Sequence, residues 1–158
     1  ISCIENINKI KSLEHLTLMN CGMSNNEILM DALKDISIKE LDLSYNKLKN
    51  ISDIQKLKTL SALVLNSNPL NENFQIKHDN IKALCLTHCN VKNVDLKCDK
   101  LFRLIIKGNP IQTIQSTSQI DHLLMDKNLI ITDKNTQRIL KKNNIPFCQE
   151  SYLQKSLF

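Results

Sequence analysis

Histidines and cysteines are the side chains of this sequence best suited to catalysis or to metal binding. His88, Cys89 and Cys98 could supply three ligands to a metal ion. No C-x-x-C pair accompanies them, and Cys89 is expected to point into the core, so a metal site is the weaker interpretation. No nucleophile stands beside a histidine base and no glycine-rich phosphate loop occurs, so we expect no enzyme and no cofactor. The histidines are His15, His78, His88 and His122, and the cysteines are Cys3, Cys21, Cys85, Cys89, Cys98 and Cys148.

An eleven-residue phrase that returns six times must position these side chains. In each phrase a Leu or Ile is followed by apolar residues three, five and ten positions later, with Asn or Cys at the eighth. Successive phrases start 25, 22, 21, 20 and 19 residues apart. This regularity predicts a solenoid in which each phrase adds one short strand to a parallel sheet of six. The phrases start at residues 13, 38, 60, 81, 101 and 120.

The segments between the phrases predict the other side of the solenoid. In the first repeat, Ser24 with Glu27 three residues later is a helix N-cap signal, and Ile28, Leu29, Leu33 and Ile36 follow at helical spacing. The later repeats are shorter, so we expect only short turns or extended segments there.

The Asn or Cys position of the phrase predicts contacts between turns of the solenoid. A small side chain there is expected to donate to the backbone of the next turn, and Cys21 and Cys89 are expected to be buried substitutes for Asn. Pro69 and Pro110 follow this position, where no ladder N–H is required. We expect all six cysteines to be reduced thiols, which favours an intracellular location, cytoplasmic or nuclear.

The two ends of the chain depart from the repeat. Residues 1–12 are interpreted as the rear of an earlier repeat or as an N-terminal cap, with Ile4, Ile7 and Ile10 packing on the convex side, and we expect the chain to be part of something longer. Residues 13–131 form the repeats. Residues 132–158 form a C-terminal cap and tail, in which Thr132 or Asp133 caps a helix. The aromatic segment 147–158 either covers the edge of the last repeat or reaches a neighbour.

One repeat carries a resemblance to a known family. Residues 4–70 resemble the 22-residue leucine-rich-repeat class of the leucine-rich regulatory subunit of protein phosphatase 1, and the spliceosomal leucine-rich subunit is similar. The resemblance implies a scaffold that grips a protein on its concave face. Together with the helix signals of the first repeat and of the C-terminal segment, the repeats predict an α/β solenoid: an arc with a concave parallel sheet, one early convex helix and a helical C-terminal cap. The matching residues are all structural: Ile38, Leu41, Leu43, Asn46, Leu48, Ile51, Ile54 and Leu57.

The outward positions of the predicted strands indicate where a partner would bind. Thr17 and Asp42 begin one outward column, and the rest of that column is apolar. Such a strip suits an apolar helix or strand of another protein. Strand propensity alone, or cover by the chain's own tail, would explain it equally simply. The strip is Val64, Cys85, Ile105 and Leu124, flanked by Ala62 and Ala83 and rimmed by Tyr45, Phe102, Arg103, Lys107 and His122.

The charge of the chain leaves a second function open. The formal net charge is +5, and lysines are scattered over the whole sequence. A cluster on the predicted C-terminal helix suits either a solvated face or a peripheral contact with RNA phosphates, as in a ribonucleoprotein such as a ribosome or splicing particle. No segment is apolar and long enough to span a membrane, and we expect a monomeric subunit of a complex. The cluster is Lys134, Arg138, Lys141 and Lys142.

Overall fold

The computed structural model describes residues 6–127 and 129–147 and shows a parallel β-solenoid with two helices. The strands are β1 His15–Thr17, β2 Glu40–Asp42, β3 Ala62–Val64, β4 Asn73–Lys77, β5 Ala83–Cys85, β6 Asn93–Lys97, β7 Arg103–Ile105, β8 Thr113–Ser116 and β9 His122–Leu124. Six of them form one sheet in the order β1, β2, β3, β5, β7, β9, and the other three form a second sheet in the order β4, β6, β8.

The six-stranded sheet forms because each phrase places one leucine at the centre of a three-residue strand. The central leucines pair in register from Leu16 on β1 to Leu123 on β9. Those of the inner strands are fully buried, and their neighbours on the strand point the other way. The predicted parallel sheet of six strands is therefore present.

The three-stranded sheet encloses the core from the other side. In β4, Phe74 and Ile76 are buried while the residues between them are exposed, and Val94 and Leu96 repeat the pattern in β6. The shorter repeats are extended here, as expected. Their pairing into a second sheet was not predicted, although the alternation of period two at a 20-residue offset signals it.

Helix α1, Glu27–Leu33, lies in the first and longest repeat, as predicted. Its N-cap is Asn26, so the prediction of Ser24 as the cap is wrong. The buried Asn26 side chain bonds instead to Ser52 of the next coil, donating to its carbonyl at 2.6 Å and accepting from its N–H at 3.0 Å. Of the apolar residues at helical spacing, Leu29 and Leu33 fill the core, whereas the Ile28 side chain is 77% exposed.

Buried asparagines join successive coils. Asn46 Nδ2 donates to the carbonyl oxygens of Leu18 and Leu43, and its Oδ1 accepts from the N–H groups of Cys21 and Met23. Asn68 and Asn109 repeat this arrangement. The side chains bond to the preceding coil and to their own, which corrects the expected direction toward the next coil.

The two cysteines at the asparagine position have different environments. Cys89 is buried, as predicted, and its thiol donates to the Leu65 carbonyl of the preceding coil at 3.2 Å. Cys21 is exposed, contrary to the prediction, because it belongs to the coil of β1, which is an edge strand.

The end of the sheet at β1 is more open than the middle. Ile7, in a 3₁₀ helix at Ile7–Lys9, packs partly against the core, whereas Ile10 is 51% exposed, so the inward prediction for Ile10 is wrong. Leu16 and Leu18 are only partly buried. Ile4 lies outside the described residues.

Helix α2, Lys134–Lys142, closes the other end. The Asp133 carboxylate caps it by accepting from Thr136 N–H at 2.7 Å, as one of the two predicted caps. The buried Thr136 hydroxyl accepts from Ile114 N–H of the edge strand β8, and Asn143 Oδ1 accepts from Leu123 N–H of β9. The helix therefore satisfies backbone groups that two sheet edges would otherwise expose.

The last phrase departs from the pattern near α2. Ile130 was predicted to fill the final inward position, but it is 48% exposed and Ile131 is fully buried in its place. Of the aromatic segment 147–158, Phe147 is partly buried against the core, and residues 148–158 lie outside the described residues. Neither α1 nor α2 has the length and apolar run of a bilayer-spanning helix, a finding that covers residues 6–127 and 129–147.

Candidate protein-binding face

The strand register places the predicted apolar strip in one row. Val64 pairs with Cys85, Cys85 with Ile105 and Ile105 with Leu124 across four neighbouring strands. Leu124 is 50% exposed, and the other three side chains are partly exposed. The row therefore presents apolar surface to solvent along one direction, across the strands.

Small side chains lie beside this row. Ala62 of β3 pairs with Ala83 of β5, and both are partly exposed. They pair onward with Arg103 and His122 at one end and with Glu40 at the other. Because an alanine projects little, the middle of the face is low and lets a partner approach closely.

Aromatic and basic side chains surround one end of the row. The rings of Phe102 and His122 meet edge to face with centroids 5.9 Å apart, and Phe102 is 41% exposed. A shallow cleft of about 350 Å³ lies between Arg103, Leu124 and Asn143, the C-cap residue of α2. Of the predicted rim residues, the structure brings Phe102, Arg103 and His122 together here.

Acidic side chains occupy the opposite end, which the sequence analysis did not include in the site. Glu40 Oε2 accepts from His15 Nδ1 at 2.9 Å, and Asp42 Oδ1 accepts from the Ser44 N–H at 2.8 Å. A depression of about 200 Å³ beside Ala62 is lined by Glu40 and Asp42. The outward column itself carried this signal, since Asp42 aligns with Val64.

Tyr45 lies in the turn after β2 with an unfavourable backbone. Its φ is 57°, a left-handed conformation that costs an ordinary residue roughly 1–2 kcal/mol. Its side chain is 57% exposed. The same turn of other coils holds Asn20, Ser67, His88 and Gly108, all with positive φ.

Cys85 lies in the middle of the row, and its thiol is expected to be unreactive. Burial raises the pKa of its thiol, Arg103 opposes that shift and Asp42 adds to it. The thiol is therefore protonated at neutral pH and a poor nucleophile. Arg103 and Asp42, which flank Cys85 on the face, thus have opposite effects on the pKa of its thiol.

The cationic helix residues lie at a separate place. Lys142 Nζ pairs with Asp121 Oδ1 at 2.8 Å, so one of the four predicted phosphate contacts is engaged within the protein. Arg138 and Lys142 line a cleft of about 540 Å³ between α2 and the loop after β8. The hydroxyl side chains of Ser116, Thr117 and Ser118 form its other wall. Lys134 and Lys141 are exposed on the same helix.

The histidines and cysteines are dispersed, as the repeat requires. His15 and His122 lie on opposite edge strands of the six-stranded sheet. Among residues 6–127 and 129–147 no three His, Cys, Asp or Glu side chains group to hold a metal ion. The thiols of Cys21, Cys85, Cys89 and Cys98 are free. Cys3 and Cys148 lie outside the described residues.

Comparison of the chain with protein-family models, with curated proteins and with solved structures gives no match.

Proposed function

We propose that the chain is a leucine-rich-repeat scaffold without catalytic activity, whose six-stranded sheet is the concave face of an arc and binds a segment of another protein. Support comes from the eleven-residue phrase, the parallel strands at its centre and the buried asparagines that join the coils. Free, dispersed thiols support a reducing, intracellular location, cytoplasmic or nuclear.

The contrast between the two sheets carries this proposal. If strand propensity alone selected the apolar row, the outward positions of the three-stranded sheet would be apolar as well. They are Gln75, Asp95 and Gln115 at the centre of each strand, with amide, hydroxyl or lysine side chains beside them. Only the six-stranded sheet exposes Val, Ile and Leu, which is the expected difference between a binding face and a solvated one.

Photo-crosslinking in cells tests the proposal. A benzophenone amino acid introduced at Leu124 is expected to capture a specific protein partner, and the same amino acid at Gln75 of the other sheet is the matched control. Both positions are exposed on strands, so their chemical access to solvent is similar. An identical set of products from both positions would contradict the proposed face.

A second candidate is an accessory role in a ribonucleoprotein, favoured by the cleft that Arg138 and Lys142 share with three hydroxyl side chains. Cationic and hydroxyl groups together suit a phosphate oxygen. If this cleft binds RNA, the affinity of the protein for RNA should fall steeply with added salt, and Arg138→Glu should reduce that salt dependence. Association that is unaffected by salt would eliminate the RNA-binding role.

A further inference from the structure

Opposite charges flank the apolar row of the six-stranded sheet. Glu40 and Asp42 project from β2 at one side, and Arg103 projects from β7 at the other, with Lys107 just after that strand. The two strands between them, β3 and β5, contribute only uncharged side chains to these columns. From β2 to β7, the column that contains Glu40, Ala62, Ala83 and Arg103 is thus acidic, then uncharged, then basic.

The basic groups of the face are available to a partner. Arg103 and Lys107 are exposed, and neither forms a salt bridge with any residue that the structure describes. On the acidic side, Asp42 accepts from Ser44 of its own coil and Glu40 accepts from His15, so both carboxylates also have contacts within the protein. A shallow depression adjoins each charged end.

The spacing of the face matches an α-helix. Neighbouring strands lie about 4.8 Å apart, so β2 and β7 are separated by roughly 14 Å. A helix advances 5.4 Å per turn, so successive turns of a helix laid across the strands fall close to successive strands. The low floor at Ala62 and Ala83 gives room for its backbone.

We propose that the bound segment is an amphipathic helix that crosses β2, β3, β5 and β7 and carries opposite charges at its two ends. A Lys or Arg side chain lies over Glu40 and Asp42, apolar side chains lie over the row, and an Asp or Glu side chain lies over Arg103. This inference rests on the proposed function and adds the charge order of the partner.

Three stapled helical peptides of about four turns test the charge order. All three share one apolar face: one is basic at one end and acidic at the other, one is basic at both ends, and one is acidic at both ends. Isothermal titration with the wild-type protein should show the bipolar peptide binding roughly tenfold more tightly than either uniform peptide, because like charges oppose binding at one end.

Charge reversal on the protein sharpens the test. In the double variant Arg103→Glu with Lys107→Glu the face is acidic at both ends, so the peptide that is basic at both ends should become the tightest ligand. The matched control, Lys77→Glu with Lys97→Glu, makes the same change of net charge on the exposed side of the other sheet. It should leave the wild-type ranking unchanged.

The contradicting outcomes are distinct. Equal affinities for the three peptides would contradict the charge order. If Leu124→Asp abolished binding of all three, the proposed binding face would still be supported. Tightest binding of the uniformly acidic peptide would overturn the charge order too. Binding of none of the peptides, or tighter binding of a proline-containing extended peptide with the same charges, would overturn the helix. The photo-crosslinking at Leu124 would then decide the proposed function separately.

Discussion

The His78 ring contacts three backbone groups, one in the preceding coil and two in the turn after His78. Its ring is 2% exposed, and Nε2 lies 3.1 Å from the Leu57 carbonyl oxygen of the preceding coil. Nδ1 accepts from the N–H groups of Asn80 and Ile81. A proton on Nδ1 would remove both of those acceptor contacts, so the fold requires the neutral ring.

This environment predicts acid sensitivity. Burial lowers the pKa of His78 below its ordinary 6.5, and Lys58 acts in the same direction, while the bond to Leu57 and the charge of Asp79 oppose the shift. Because the unfolded chain binds the proton first, the free energy of unfolding is fully present above about pH 6.5 and falls as the pH drops through the lowered pKa. Urea unfolding midpoints should therefore decrease between about pH 7 and pH 5.

Two variants isolate the contribution of His78. His78→Gln should be less stable at neutral pH but should flatten the acid decrease. His88→Gln, which changes an exposed histidine, should keep it. An undiminished decrease in His78→Gln would assign the acid sensitivity to other groups.

The Asn or Cys position of the phrase shows how far burial can be predicted from residue type alone. Its inward role followed from the sequence, and Asn46, Asn68 and Asn109 confirm it. Cys21 and Cys89 have the same type and position, yet only Cys89 is buried, because burial depends on whether a neighbouring coil covers the site.

At the scale of elements, the phrase predicts the strand positions of the six-stranded sheet, whereas the second sheet is signalled only by the alternation of period two between the phrases. The phrase places its central leucine in every strand of the six-stranded sheet. The pairing of β4, β6 and β8 depends on how far apart three extended segments are held, which the phrase does not encode. The outward side chain of Ile28 was missed because helical spacing predicts a face without identifying what packs on it.

Helix α2 should stabilise the array through one buried hydroxyl. Thr136 Oγ1 accepts from Ile114 N–H at 2.7 Å and donates to Asp133 at 2.6 Å. Thr136→Val keeps the shape and leaves the Ile114 N–H buried without an acceptor, at a cost of roughly 1–3 kcal/mol. Urea denaturation measures the loss, and hydrogen exchange should show the Ile114 amide opening first.

The exposed Thr132 provides the control for this hydroxyl. Thr132→Val should change the free energy of unfolding by less than about 0.5 kcal/mol. If the two variants are equally stable, α2 does not act as a cap through Thr136.

At the scale of the whole molecule, the sequence predicted the apolar row but not the charge order around it. Val64, Cys85, Ile105 and Leu124 followed from the register of the phrases, which the strand pairing reproduces. The acidic end at Glu40 lay in the same columns. The contrast of Glu40 with Arg103 and Lys107, and the depression beside each end, were recognised only in the structure.

The double variant Ile105→Asp with Leu124→Asp tests the central claim most directly, because the claim is that this row binds a partner and contributes little to the core. With the benzophenone amino acid at the adjacent Phe102, partner crosslinking should be lost, while circular dichroism and the melting temperature stay nearly unchanged. The buried neighbour Ile106→Asp should instead unfold the protein, since that side chain is fully enclosed. Undiminished crosslinking by the folded double variant, or its failure to fold, would contradict the account.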